Sequence, residues 1–329
     1  MREADVGIGA LTLDGGESLP AVVQRVTMYG HRNRRTVFVP HALTGSSRVA
    51  EWWPGIVGDG APFDPSEWCV IGINALGSCY GSTGPTSVRA FPRVTVRDIV
   101  RAQRRALDEL GVDKIDVVIG GSLGGMQALQ WAIDAPDRVG RAIVVGAHDH
   151  HSAMGIALNT VQRDALALDP VRGLRLARKI AMLTYKSAAL LDARHGRNAD
   201  RRGARRFDVE GYLEHQADLF ERRMDAATYE TLTLAMDSFD VRCHPEPGER
   251  SGRTRLTFAG ISTDWLFRPS EVRAAVQRFA ASGWNARYVE LKSDHGHDAF
   301  LAESHRLAAL IAPPASERSL QQRNVSGVA

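Results

Sequence analysis

Across residues 20–150, short β-branched runs alternate with stretches whose apolar positions recur every three or four residues. The runs VVQRVTMY (22–29), TVFVP (36–40), WCVIGIN (68–74), DVVIG (116–120) and RAIVVGA (141–147) predict strands. Between the third and fourth, residues 94–111 carry Ile99, Val100, Ala106, Leu107 and Leu110 at helical spacing and stop at Gly111, which predicts a crossover helix. Such alternation is the mark of a mostly parallel sheet covered by helices. From 152 to 245 the rhythm becomes helical in LNTVQRDALAL, GLRLARKIAMLTY and DVEGYLEHQADLFERRM, and no strand is predicted. Strand character returns in RLTFAGIS (255–262) and ARYVELK (286–292), separated by a helix that Pro269 opens and Gly283 closes. The expected organisation is an α/β core of residues 1–151 and 246–313, a helical cap at 152–245, and a loose polar tail at 314–329.

Composition narrows the class. The 329 residues are 44% hydrophobic and 24% charged, and no run approaches the roughly 18 apolar residues of a membrane helix. The N-terminal MREADVGIGALTLDGGE lacks a basic segment followed by an apolar stretch, so a cytoplasmic protein is expected. Cys69, Cys79 and Cys243 are too widely spaced for a disulfide framework or a zinc site of the CxxC kind. A net charge of +3 does not point to nucleic acid. In RHGRNADRRGARR (194–206), arginines 194, 197, 201, 202, 205 and 206 face only Asp200. The segment reads as a solvated loop or helix end, or as a contact for an anionic ligand's phosphates, and it has no aromatic residue to stack on bases.

The candidate chemistry lies in VVIGGSLGGMQALQWA (117–132), where Gly120-Gly121-Ser122-Leu123-Gly124 satisfies GxSxG between a predicted strand and a predicted helix. Small neighbours permit a tight strand-to-helix turn, and the helix N-terminus favours developing negative charge. Ser122 is therefore a candidate nucleophile, the alternative being a serine that merely caps the helix. A serine hydroxyl reacts at neutral pH only if a histidine takes its proton and a carboxylate orients that histidine. On this kind of sheet the partners follow in the order Ser, Asp or Glu, His, each beyond a later strand. Asp264 follows the strand 255–262, and His295 and His297 follow 286–292; spacing leaves the two histidines open. Asp237 and Asp240 are weaker rivals because neither follows a predicted strand.

An acyl oxyanion needs two backbone donors, expected from the N–H of Leu123 and of Leu43 in VPHALTGS; each is worth about 3 to 4 kcal/mol in the transition state. His41 and Thr44 would shape that loop. The clusters DHGHD (294–298) and HDHH (148–151) could ligate a metal by residue type. No metal is expected, because the GxSxG turn would then have no role.

The blocks HALTGS (41–46), NALGSCYGSTGP (74–85), VTVRDIVRAQ (94–103), GGSLGGMQALQWA (120–132), ARKIAMLTY (177–185), LTLAMDSFD (232–240) and GHDAFL (296–301) together resemble the homoserine O-acetyltransferase family of α/β-hydrolase-fold enzymes. The resemblance spans about residues 20–312. It implies a triad of Ser122, Asp264 and His297, with the histidine taken from GHDAFL. It further implies that Arg178 holds the amino-acid carboxylate with Tyr185 nearby, and that Asp298 meets the ammonium. Other implications are acetyl-CoA as co-substrate with no bound cofactor, L-homoserine as acceptor in methionine biosynthesis, and a homodimer. The chain departs from the family pattern after LALDP (166–170) and after NALGSCYGSTGP, where the links are shorter. Both departures bear on substrate: L-serine as acceptor and succinyl-CoA as donor are the alternatives within the family. A plain esterase is the alternative within the fold, and a non-catalytic binding protein is the alternative outside catalysis.

Overall fold

In a computed structural model, residues 1–201, 203–242 and 254–312 are described. Cys243 and the expected tail at 314–329 lie outside them. The chain opens with β1 (Arg2–Thr12), β2 (Ser18–Tyr29), β3 (Arg35–Phe38), α1 (Val49–Trp52), β4 (Trp68–Ile73), α2 (Val96–Glu109), β5 (Ile115–Gly121), α3 (Leu123–Asp134) and β6 (Val139–Val145). Next come α4 (Ala153–Leu168), α5 (Pro170–Tyr185), α6 (Ala188–His195), β7 (Ala199–Asp200), β8 (Gly203–Phe207), α7 (Asp208–Glu221) and α8 (Ala226–Asp237). The described chain ends with β9 (Arg255–Ile261), α9 (Pro269–Ala281), β10 (Asn285–Leu291), α10 (Ala299–Ala302) and α11 (Ser304–Ile311).

Among the described residues, eight strands form one sheet in the order β1-β2-β4-β3-β5-β6-β9-β10. The six from β4 to β10 run parallel, and β1 and β2 extend the sheet antiparallel. Side chains alternate across strands, so neighbouring positions feed different cores. Val117, Ile119, Ile143, Val145, Ala259 and Ile261 pack with Trp53, Phe300 and Leu307 on one face. Val118, Val144 and Phe258 pack on the other with Ile99 and Val100 of α2, Met126 and Leu129 of α3, and Phe279 of α9. Burial on both faces explains why these strands read as continuous apolar runs.

Local signals set the helix ends. At the start of α2, Thr95 and Asp98 make a reciprocal capping box, each side chain meeting the other's backbone N–H at 3.0 Å. Pro269 stands in the first turn of α9, where its missing N–H costs nothing.

Two elements depart from the sequence reading. The N-terminal residues form β1, an edge strand paired along β2, which begins at Ser18 rather than 22. Inside the segment expected to be helical, β7 and β8 form a two-stranded antiparallel pair, so part of the arginine-rich stretch is strand and not only loop or helix end.

The helical segment between β6 and β9 stands on paired connections. His150 and Asp240 form an antiparallel bridge, flanked by the His151 N–H to the Phe239 carbonyl and the Val241 N–H to the Asp149 carbonyl, both 2.8 Å. Arg278 of α9 clamps Asp149 with two hydrogen bonds of 2.7 and 2.9 Å, tying these connections to the sheet's own helix layer.

Candidate active site

Ser122 sits between β5 and α3 with φ 56° and ψ −124°, a conformation that L-residues rarely adopt. Its side chain makes no capping hydrogen bond, which disfavours the helix-cap alternative. Its N–H donates to the Val145 carbonyl at 2.9 Å, locking the turn to β6. A Cβ on Gly124 would lie 2.4 Å from the Pro40 carbonyl oxygen, so glycine there lets α3 press against the loop after β3. Gln127 fastens that contact, its Nε2 donating to the carbonyls of both His41 and Leu123 at 3.1 Å.

The loop carrying Leu43 is pinned from within by His41, which is fully buried. Its Nδ1 meets the Ala42 carbonyl at 2.7 Å, and its Nε2 accepts the Ala75 N–H at 2.9 Å. Burial pushes the imidazole down to about 4, against the opposing hydrogen bond to Ala42, so the ring is neutral. His41 shapes the loop, as its position in the sequence suggested. Leu43 and Leu123 are both buried.

His297 and Asp264 meet directly: the imidazole Nδ1–H donates to Asp264 Oδ2 at 2.7 Å, with both residues 2% exposed. The other oxygen, Oδ1, accepts the N–H groups of Leu266 and Phe267, each at 2.9 Å. Asp264 thus has one side for the ring and one for its own loop. His297 rests on Phe267, stacked at 5.2 Å, with the edge of Phe300 at 5.6 Å. Burial opposes charging the ring, but the neighbouring Asp264 charge and hydrogen bond, with Asp298 adding, hold its pKa above the ordinary imidazole value. His297 Nε2 is buried and has no hydrogen-bond partner among the described residues.

Gly146 connects these parts. It follows β6 with φ 51°, and a Cβ there would lie 3.2 Å from His297 Cε1 and 3.6 Å from Asp264 Oδ2. The same strand end receives the Ser122 N–H, so serine and histidine converge on the carboxyl end of β5 and β6. Of the two candidate histidines, His297 is the one hydrogen-bonded to Asp264. His295 donates its N–H to Ser293 Oγ at 3.0 Å and, among the described residues, forms no hydrogen bond or ion pair with Asp264. The rival acids are engaged elsewhere: Asp237 with His151, Asn159 and Arg163, and Asp240 with Arg242.

Helix α5 packs against the turn that carries His297, and α7 packs on α5. Arg178 is 9% exposed, 5.1 Å from the Phe220 ring and 5.9 Å from the Tyr185 ring, with one long contact of 3.4 Å to Gln216. Among the described residues it has no carboxylate partner. Arg175, one turn earlier, has three: Glu214, Asp218 and Glu221. Tyr185 is 5.6 Å from the His297 ring. Burial raises its hydroxyl to about 12, with Arg178 opposing and Asp298 adding, so it is a neutral donor. Asp298 pairs with Lys186, Nζ to Oδ2 at 2.8 Å. Sequence reasoning missed Lys186, Gln127 and Gln216; adjacency to Tyr185 was the only signal for the first.

Of the two metal-type clusters, DHGHD does not gather among the described residues, His297 being hydrogen-bonded to Asp264. In HDHH, ligand atoms of His148, Asp149 and His150 lie within 4.8 Å of one another. Both oxygens of Asp149 are already taken by the Arg278 guanidinium. Cys69 and Cys79 are free thiols, and no helix among the described residues is long and apolar enough to cross a membrane.

Comparison with known proteins bears on this geometry. The alpha/beta hydrolase fold family matches residues 35–304. A homoserine O-acetyltransferase of Acidiphilium cryptum is 38% identical, covering 94% of this chain and 95% of its own. A homoserine O-succinyltransferase of Neisseria gonorrhoeae is 37% identical, covering 89% of each. The crystal structure of a homoserine O-acetyltransferase from Staphylococcus aureus superposes with a TM-score of 0.80 at 29% identity, covering 94% of each chain. Sequence blocks, sheet order and strand-end site agree: the chain belongs to the homoserine O-acetyltransferase family of α/β-hydrolase-fold acyltransferases.

Proposed function

We propose that the enzyme transfers an acetyl group from acetyl-CoA to the hydroxyl of L-homoserine by double displacement through Ser122. In the first half-reaction His297 takes the Ser122 proton as Oγ attacks the thioester carbonyl, and Asp264 stabilises the imidazolium. The oxyanion is held by the N–H groups of Leu43 and Leu123. The thiol of CoA leaves with the proton returned by His297. In the second, the acceptor's hydroxyl gives its proton to His297 and attacks the acyl carbon, and Ser122 leaves as the alcohol. Arg178, with Tyr185, receives the acceptor's carboxylate, and Asp298 receives its ammonium.

The observation that carries this reading is a strained serine turn and a buried His–Asp pair close to a helical segment whose Arg178 guanidinium is buried and has no carboxylate partner among the described residues. A guanidinium held on aromatic faces is a ready counter-charge for an amino acid's carboxylate. Relatives named for acetyl and for succinyl transfer support the reaction class and leave the acyl group to experiment.

Initial rates at several fixed L-homoserine concentrations should give parallel double-reciprocal lines, and intersecting lines would overturn the scheme. Thiol release from acetyl-CoA should depend on L-homoserine and exceed that with succinyl-CoA or L-serine. Release indifferent to either amino acid would make the protein a hydrolase.

The cap also supports a homodimer. Met154, Val161 and Leu168 on α4, and Leu176 and Leu183 on α5, are exposed at seven-residue spacing, forming apolar stripes suited to a second copy.

A further inference from the structure

Lys186 follows the last turn of α5, where the chain turns extended and packs on the loop that carries His297. Packing there is close: a Cβ on Gly296 would lie 2.8 Å from Lys186 C, Ser187 N and the Tyr185 carbonyl oxygen. Ser187 Oγ also donates to the Asp294 carbonyl, fixing the end of α5 against this loop. In this junction Lys186 Nζ reaches Asp298 Oδ2 at 2.8 Å, the side chains 11% and 20% exposed. An ion pair so shielded is less screened than a surface pair, and it lies one residue from the catalytic imidazole.

We infer that Lys186 is a positioning residue for the acyl transfer: it anchors one oxygen of Asp298, leaves the other for the acceptor's ammonium, and offsets the Asp298 charge beside His297. The inference rests on the assignment of Asp298 to the acceptor's ammonium under the proposed function.

Two consequences follow from electrostatics. Without Lys186, Asp298 keeps its negative charge but loses its anchor, so the acceptor is bound less well. An uncompensated carboxylate next to His297 also favours the imidazolium, so the base is lost at a higher pH than in the native enzyme. The charged and titratable groups facing this ring are Asp264 beyond β9, Asp298 on its own turn, Lys186 and Tyr185 at the end of α5, and Arg178 behind Tyr185. Removing one positive charge from that set moves the balance in a single direction.

The test uses the full chain and two readouts. The first is the pH profile of p-nitrophenyl acetate cleavage, which exercises Ser122 and His297 with no acceptor present. The second is KM for L-homoserine with acetyl-CoA as donor. Lys186→Met should move the acid limb upward by about one pH unit and raise KM about tenfold; Lys186→Arg should restore both. Asp298→Asn should move the limb downward and raise KM. If Asp298→Asn leaves KM unchanged, the ammonium assignment falls. If Asp298→Asn raises KM while Lys186→Met moves neither readout, or lowers KM, the positioning role falls alone, and a lowered KM would mean Lys186 competes with the acceptor. Should Lys186→Met fail to fold, Lys186→Gln carries the same expectations.

Discussion

In the core, Asp264 accepts three hydrogen bonds, two from its own loop and one from His297, and holds the ring in one orientation. In the cap, Arg178 rests on two aromatic rings and touches a single amide at 3.4 Å. Both groups are buried, so the difference lies in what has been left unsatisfied. A charge held by its full set of partners is pre-organised for chemistry that never varies. A buried cation short of partners is costly until a ligand supplies an anion. Under the proposed function the contrast becomes a division of labour in which the core activates an acyl group and the helical segment selects what receives it.

The strongest way to break this division is in the core. Ser122→Ala should lower kcat for homoserine-dependent thiol release by about 10⁶-fold, with the thermal unfolding midpoint unchanged. A smaller effect would move the nucleophile elsewhere. Next, Arg178→Met should cut kcat/KM for L-homoserine by about 100-fold, from the loss of a buried charged contact. Its effect on p-nitrophenyl acetate cleavage should be far smaller. Equal losses in the two assays would erase the distinction between core and cap. Weakest in catalytic terms, Leu176→Asp with Leu183→Asp should weaken self-association by about tenfold or more, read by light scattering across a dilution series. An unchanged mass would remove these stripes as a contact between copies.

The core was legible because its strands are buried on both faces and read as apolar runs, and because each candidate triad residue follows one of them. Ser122, Asp264 and His297 stand at strand ends in chain order, a pattern visible without coordinates. β1 was not visible for the opposite reason. READVGIGALT is largely exposed, interrupted by two glycines, and owes its strand state to pairing with β2, with a register shift at Gly9. The β7–β8 pair is too short to leave a periodic trace. Arg178 stood out only through the resemblance to relatives, since on helical periodicity it looks like Arg175, whose acids come from α7. Lys186 was hidden by distance along the chain: its partner Asp298 is brought to it by the packing of α5 on the histidine loop.

The central claim is that the core makes an acyl-enzyme and the cap directs its fate. Mass spectrometry of the protein mixed with acetyl-CoA alone tests it most directly. The account predicts one added acetyl group on the peptide containing Ser122, discharged within the mixing time by L-homoserine to give O-acetyl-homoserine. No adduct on Ser122, or one that L-homoserine leaves in place, would contradict it.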